Sequence, residues 1–195
     1  MFTGIVQAVG RIEALAPRGA GARLQVGGAA RLLRALKRGD SIAVNGCCLT
    51  IVAKRDGRFS ADLSRETLAK TTLGGLSRGA RVNLEPPLRA GDALSGHLMQ
   101  GHVEATGRVR AVAPDSLRIE VPRTLMRYVV PKGTLAVDGI SLTVARVQGR
   151  ALQFALIPHT FQHTNLSHLA PGDAVNLETD PLARHVERLL QSRRL

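Results

Sequence analysis

The two cysteines of the chain stand side by side, Cys47 and Cys48, in the segment AVNGCCLTIV at 43–52. A thiol serves as nucleophile, metal ligand or disulfide partner, so their placement narrows the chemistry. A bridge between neighbours would close a strained ring and constrain no loop, which argues against stapling. Both thiols are therefore expected to be free, as in a reducing compartment. Two histidines, His97 and His102, lie in HLMQGH. Five apart on a strand they would point to opposite faces, and neither a cysteine nor a carboxylate pair completes a zinc set around them. Taken alone, each reads as a surface or hydrogen-bonded histidine. There is no GxGxxG after a strand, no GxxxxGK[ST], no HExxH and no CxxC, so neither cofactor nor metal is signalled.

The elements that position these residues belong to a basic chain of 195 residues, 44% hydrophobic, with a formal net charge of +12. That charge alone would suggest nucleic acid as partner. The excess, however, is 23 arginines against four lysines spread over the whole length, with 3% aromatic residues and no tryptophan to build a stacking platform. The reading is no nucleic acid, and a basic surface suited at most to an anionic ligand. The opening MFTGIVQAVGRIEAL lacks the basic and apolar regions of a secretory leader, and no run is long enough to cross a bilayer. A soluble, cytoplasmic protein with no membrane association is expected.

An internal repeat organises the chain. SIAVNGCCLT (41–50) returns as TLAVDGISLT (134–143), 93 positions on, and the same displacement relates RETLAKTTL (65–73) to PHTFQHTNL (158–166) and GARVNLEPPL (79–88) to GDAVNLETDP (172–181). Upstream, TGIVQAVGRI (3–12) matches QGHVEATGRV (100–109) at a displacement of 97. Two similar domains at 1–90 and 97–181 follow, joined by the glycine-containing RAGDALSGH. Within each copy, short segments rich in Val, Ile and Thr and punctuated by Gly read as the strands of a small barrel or sandwich. Short helices are expected in AARLLRAL and RTLMRYV. A longer one follows, because Leu182, Val186, Leu189 and Leu190 fall at i, i+4, i+7 and i+8.

The repeat also separates the two thiols. Neighbours on a strand point to opposite faces, Cys47 in phase with Leu49 and Ile51, Cys48 with Thr50. In the second copy Cys47 corresponds to Ile140 and Cys48 to Ser141, with Thr143 matching Thr50. Cys47 is thus a small core residue, and Cys48 lies on a polar wall present in both copies.

MFTGIV, the pair NGCCLT and DGISLT, SGHLMQGHV and NLETDPLARHVERLL together resemble the riboflavin synthases of the alpha-chain type, in order and across nearly the whole chain. The resemblance implies an all-β fold of tandem duplicated six-stranded Greek-key β-barrels with short helices, a C-terminal oligomerisation helix at 182–195, and a homotrimer. It implies an enzyme that converts two molecules of 6,7-dimethyl-8-ribityllumazine into riboflavin and 5-amino-6-(ribitylamino)uracil, without cofactor or metal, in the last step of riboflavin biosynthesis. Each active site would hold two lumazines, one on the first barrel of a chain and one on the second barrel of a neighbour. Association with lumazine synthase stays open, and the rival reading is a noncatalytic lumazine- or flavin-binding protein on the same fold.

Residue roles follow from the same resemblance. His102 is the implied base that removes a proton from the methyl on carbon 7 of one lumazine, with Thr143 orienting it. Cys48, Ser41 or a water they hold is the nucleophile toward the other ring. Asp180 and Lys132 are charged contacts. Binding residues are expected in the first copy at Gly4, Ile5 and Val6, with Phe2 and Thr3 beside them, then at Cys48, Leu49 and Thr50, and at Asp62, Leu63, Ser64, Arg65, Glu66 and Thr67. In the second copy they are expected at Gly101, His102 and Val103, at Lys132, at Ser141, Leu142 and Thr143, and at Ile157, Pro158, His159, Thr160, Phe161 and Gln162. Asp62, Thr67 and Thr160 would meet ribityl hydroxyls; on their own, Thr67 and Thr160 read as turn or cap threonines.

Overall fold

Alternation of apolar and polar residues curls each copy of the repeat around its own core. The computed structural model describes residues 1–192. The first copy contributes β1 (Ala8–Arg18), β2 (Gly21–Gly27), β3 (Ser41–Val44), β4 (Cys47–Arg55), β5 (Arg58–Leu63) and β6 (Arg81–Glu85). The second contributes β7 (Ala105–Ala113), β8 (Ser116–Glu120), β9 (Thr134–Val137), β10 (Ile140–Gln148), β11 (Ala151–Ala155) and β12 (Ala174–Thr179). Each set closes into a six-stranded antiparallel barrel, in the orders β1-β2-β5-β4-β3-β6 and β10-β11-β8-β7-β12-β9. In both, the strand after the first hairpin is skipped and a later one pairs beside it, which is Greek-key connectivity.

Leu24, Ile42, Ile51, Phe59 and Leu84 fill the first barrel, and Leu117, Leu135, Val144, Phe154 and Leu177 the second. Register shifts at Ile12/Ala14 and Ile51/Ala53 recur at the repeat-related Val109/Ala111 and Val144/Arg146. Such bulges bend a strand sharply enough for so few strands to close.

The tight hairpins Asn45-Gly46 and Asp138-Gly139, with positive φ at all four residues, lie back to back where the barrels meet. A Cβ on Gly46 would come within 2.7 Å of Gly139 N, so both glycines are dictated by this approach. Around them Asn83 Nδ2 donates to Asp138 O (2.9 Å) and Asn176 Nδ2 to Asn45 O (2.8 Å). The two amides reach across the interface in a pseudo-two-fold pattern.

Short helices connect the strands. α1 (Ala30–Leu33) and a 3-10 turn at Arg123–Tyr128 occupy the two segments expected to be helical. Two more, α2 (Arg65–Lys70) and α3 (Pro158–His163), form in repeat-related segments that carried no helical expectation. Each is six residues long and buries none of them, so no apolar face marks it in the sequence. The terminal helix α4 spans Pro181–Ser192; residues 193–195 of the expected 182–195 helix lie outside the described residues. Glu187 ties α4 to the second barrel through Arg127 (2.6 Å) and Tyr128 (2.5 Å), while Leu182, Val186, Leu189 and Leu190 stay exposed.

Candidate active site

The outward residues of β4 and β10 form two related polar faces. On β4, Cys47 and Leu49 point into the core, Cys48 is half-buried and Thr50 exposed, with Ser41 on β3 directly opposite Thr50. Burial, with Cys48 and Glu178 adding repulsion, pushes the Cys47 thiol up to about 12, which removes it as a nucleophile. On β10, Ile140 and Leu142 are buried, Ser141 is half-buried and Thr143 exposed, with Thr134 on β9 opposite Thr143. The division of the two thiols inferred from the repeat is therefore the one observed.

The chain segments that lie across these faces are exchanged between the copies. Cys48 N donates to Gly101 O (2.8 Å) and Ser141 N to Gly4 O (2.9 Å). Val103 packs on the core of the first barrel and Val6 on that of the second. Gly4, Ile5 and Val6 of the first copy thus lie beside Ser141, and Gly101, His102 and Val103 of the second beside Cys48: each segment covers the other barrel's polar strand. The segments cross because Phe2 and Met99 pair with each other, Phe2 N to Met99 O at 2.8 Å and Met99 N to Phe2 O at 3.0 Å. Phe2 and Met99 are buried with Ala43 and Ala136 between the barrels, against Cys48. Phe2 accordingly supports the site from beneath.

Both exchanged segments turn on a glycine with positive φ, Gly4 at 77° and Gly101 at 79°. A Cβ on Gly101 would lie 2.5 Å from Cys48 Cβ, and one on Gly4 2.6 Å from Ser141 Cβ. Only glycine supplies both the conformation and the clearance.

The surroundings of the two faces differ. His97 Nδ1 lies 2.7 Å from Ser141 Oγ, and its Nε2 is buried without a protein partner among the described residues. Burial lowers the His97 pKa, opposed by the nearby Asp180 charge, so the ring is neutral at neutral pH. Asp180 also accepts from Leu182 N (2.9 Å), capping α4, and from Thr134 Oγ1 (3.4 Å). A cavity of about 510 Å³ opens beside Thr134 and Asp180, under Val186 and Glu187 of α4. At the repeat-related positions the first copy has Pro87 for Asp180 and Gly39 for Lys132. Lys132 holds φ at 66° where its counterpart is glycine, a strain that singles it out.

A family profile described as Lumazine binding domain matches residues 3–86 and again 100–180. Riboflavin synthase of Mycobacterium tuberculosis is 46% identical over 200 residues, covering 98% of this chain and 99% of that one. The chain belongs to the riboflavin synthase family. Riboflavin synthase of Actinobacillus pleuropneumoniae is 38% identical over 194 residues, covering 97% and 90% of the two chains. Among solved structures, LumP complexed with riboflavin superposes with a TM-score of 0.84 at 26% identity, covering 92% of this chain and 99% of that one.

Within this riboflavin synthase fold the other expected binding residues fall into two places. Asp62, Leu63, Ser64, Arg65, Glu66 and Thr67 run from the end of β5 into α2, with Leu63 turned into the core. Ser64 is the cap, accepting from Thr67 N (3.0 Å), and its hydroxyl meets that of Thr67 at 2.9 Å. The Asp62 carboxylate is held by Arg23 in a two-point contact (2.7 and 2.9 Å), a charge-balanced pair in place of a lone acid. Ile157, Pro158, His159, Thr160, Phe161 and Gln162 form the corresponding start of α3, where His159 stacks on His163 at 4.1 Å. His102 is exposed and Thr3 is buried on Glu85.

Sequence reasoning passed over three residues. His97 has no partner close in sequence, and β10 supplies one only in the fold. Glu85 and Glu178, buried and repeat-related, each accept several hydrogen bonds from an exchanged segment. Their signal was present in the repeated VNLE at 82–85 and 175–178.

Proposed function

We propose that the protein dismutates two molecules of 6,7-dimethyl-8-ribityllumazine, transferring a four-carbon unit to give riboflavin and 5-amino-6-(ribitylamino)uracil. The carrying observation is the pair of repeat-related faces with unequal chemistry, Cys48 and Thr50 on one, Ser141 and Thr143 with His97 and Asp180 on the other. One substrate donates carbon and its twin accepts it, so similar but inequivalent faces suit the task. The atoms of two lumazines equal those of the two products, and no oxidant is required.

His102 acts as the base toward the carbon-7 methyl of one lumazine, and Thr143 of a facing chain orients that ring. Cys48, Ser41 or a held water adds to carbon 7 of the other. Lys132 and Asp180 stabilise charge as protons move. Thr3, Gly4, Ile5 and Val6 belong with the second face and Gly101 and Val103 with the first, while Phe2 lies between the barrels against Cys48. Backbone groups on the paired strands read the pyrimidinedione edge, and Asp62, Thr67 and Thr160 meet the ribityl chains. Holding two rings face to face supplies much of the rate through proximity.

In this reading 1–90 and 97–181 are the two lumazine-binding units, and 182–195 joins three chains into a homotrimer. The exposed apolar face of α4 supports that assembly. The protein works in the cytoplasm, where lumazine synthase is a candidate associate. The test is to mix the pure protein with the lumazine under nitrogen, without added cofactor, and to quantify products by chromatography. One riboflavin for every two lumazines lost is expected; tight binding with no riboflavin would sink the reading.

A further inference from the structure

Each barrel's last strand carries a buried glutamate whose side chain holds a segment that crosses to the other barrel. Glu178, on β12 of the second barrel, accepts from Gln100 N (2.6 Å), Gly101 N (2.9 Å) and His102 N (3.1 Å). Glu85, on β6 of the first, accepts from Thr3 N (2.6 Å), Thr3 Oγ1 (2.8 Å) and Gly4 N (3.0 Å). Burial raises the pKa of both carboxylates, and the N–H donors pull the other way. The glycine in each grip, the middle residue for Glu178 and the last for Glu85, then passes its carbonyl to the opposite barrel, Gly101 O to Cys48 N and Gly4 O to Ser141 N.

We propose that Glu178 is a positioning residue for the Cys48 face of the first barrel and for His102, and that Glu85 does the same for the Ser141 face of the second. A residue of one barrel thereby sets the geometry of the other barrel's site. Successive N–H groups form a concave nest, and a carboxylate fits it in one orientation. Since Gly101 has no side chain to fix it, the carboxylate is what orients the peptide units on either side. His102 leaves the backbone from the third of the three gripped units, so its ring direction is tied to the same clamp. The part that concerns His102 rests on the dismutation proposed above; the part that concerns Cys48 does not.

The test compares Glu178→Gln with Glu85→Gln in the full chain. Glutamine keeps the length but presents an NH₂ to N–H donors where an oxygen accepted, so part of the clamp is lost. Two readouts are taken: the rate of Cys48 alkylation by iodoacetamide, and kcat and KM with the lumazine. Glu178→Gln is expected to change the Cys48 alkylation rate by about fivefold or more and to lower kcat by roughly tenfold, more than it raises KM. Glu85→Gln should leave Cys48 alkylation within about twofold of the unmutated protein while raising KM. Wild-type alkylation and kcat in Glu178→Gln would overturn the proposal, as would an equal change of alkylation in both variants, which signals general loosening. Glu178→Asp, which keeps the charge but shortens the reach, should fall between; if only that variant folds, its alkylation rate decides. Alkylation needs no turnover, so an inactive protein would refute the dismutation without touching the clamp.

Discussion

His97 Nδ1 sits 2.7 Å from Ser141 Oγ, whereas the sulfur of Cys48, the repeat-related residue, makes no such bond among the described residues. The two faces therefore present a fixed hydroxyl and an unfixed thiol. Removing the imidazole with His97→Ala should raise KM by about three- to tenfold, the worth of one hydrogen bond, with a smaller effect on kcat. Steady-state kinetics decide this. Because burial lowers the His97 pKa, the unfolded chain binds a proton below about pH 6.5 that the folded one resists. Stability from neutral His97 is thus present above that pH and falls as acid is added. Denaturation midpoints between pH 7.5 and 5.5 should drop less in His97→Gln than in the unmutated protein.

The thiols are distinguishable by reagent. With Cys47 pushed up to about 12 and buried, and Cys48 half-exposed, iodoacetamide near neutral pH should label Cys48 alone. Peptide mapping after labelling checks this, and bound lumazine should slow it. If Cys48→Ala retains full activity, the nucleophile is Ser41 or water.

Asp138 is wholly buried at the contact of the hairpins, its carboxylate accepting from Asn176 N (2.7 Å) and Asn165 Nδ2 (2.8 Å), with no cation paired to it among the described residues. Desolvation raises its pKa to about 7, with the Asp173 charge adding to the rise. An acid whose folded pKa is raised binds its proton more tightly when folded. Its protonated form therefore favours the fold fully below the unfolded pKa of about 4, and the benefit is lost as pH rises to about 7. Asp138→Asn reproduces the Asn45 of the first copy, and should flatten the decline in urea midpoint between about pH 4 and pH 7.

Gly101→Ala forces a side chain into a positive φ and onto Cys48. The backbone alone costs about 1–3 kcal/mol, and the overlap adds to it. A lower melting temperature and weaker lumazine binding are expected, measured by calorimetry and fluorescence.

Val186→Glu places a charge in the exposed apolar face of α4. Far-UV circular dichroism should be unchanged; if the homotrimer proposed above is right, light scattering should fall to the mass of a single chain, and turnover should vanish if the site spans two chains.

Much of the fold was legible because its signals are local. Alternation along AVNGCCLTIV told Cys47 from Cys48, and the displacement of 93 between copies told both from their counterparts. The exchange of Gly4 and Gly101 was hidden, since a segment's own residues do not state which of two like barrels it will lie across. Arg23 on Asp62 depends on the register of β2 with β5, and His97 on Ser141 joins residues 44 apart. Polar partners at such separations leave no periodic trace. α2 and α3 bury no residue, so they carry no apolar face for a period to show.

The crossing of the two leading segments also bears on ancestry. A chain holding a single copy would carry its leader but lack the neighbouring barrel on which that leader lies. Two such chains side by side could satisfy each other, every leader completing its partner's pocket. Duplication with fusion would then have joined an existing pair, and freed Cys48 and Ser141 to diverge where symmetry had kept them the same.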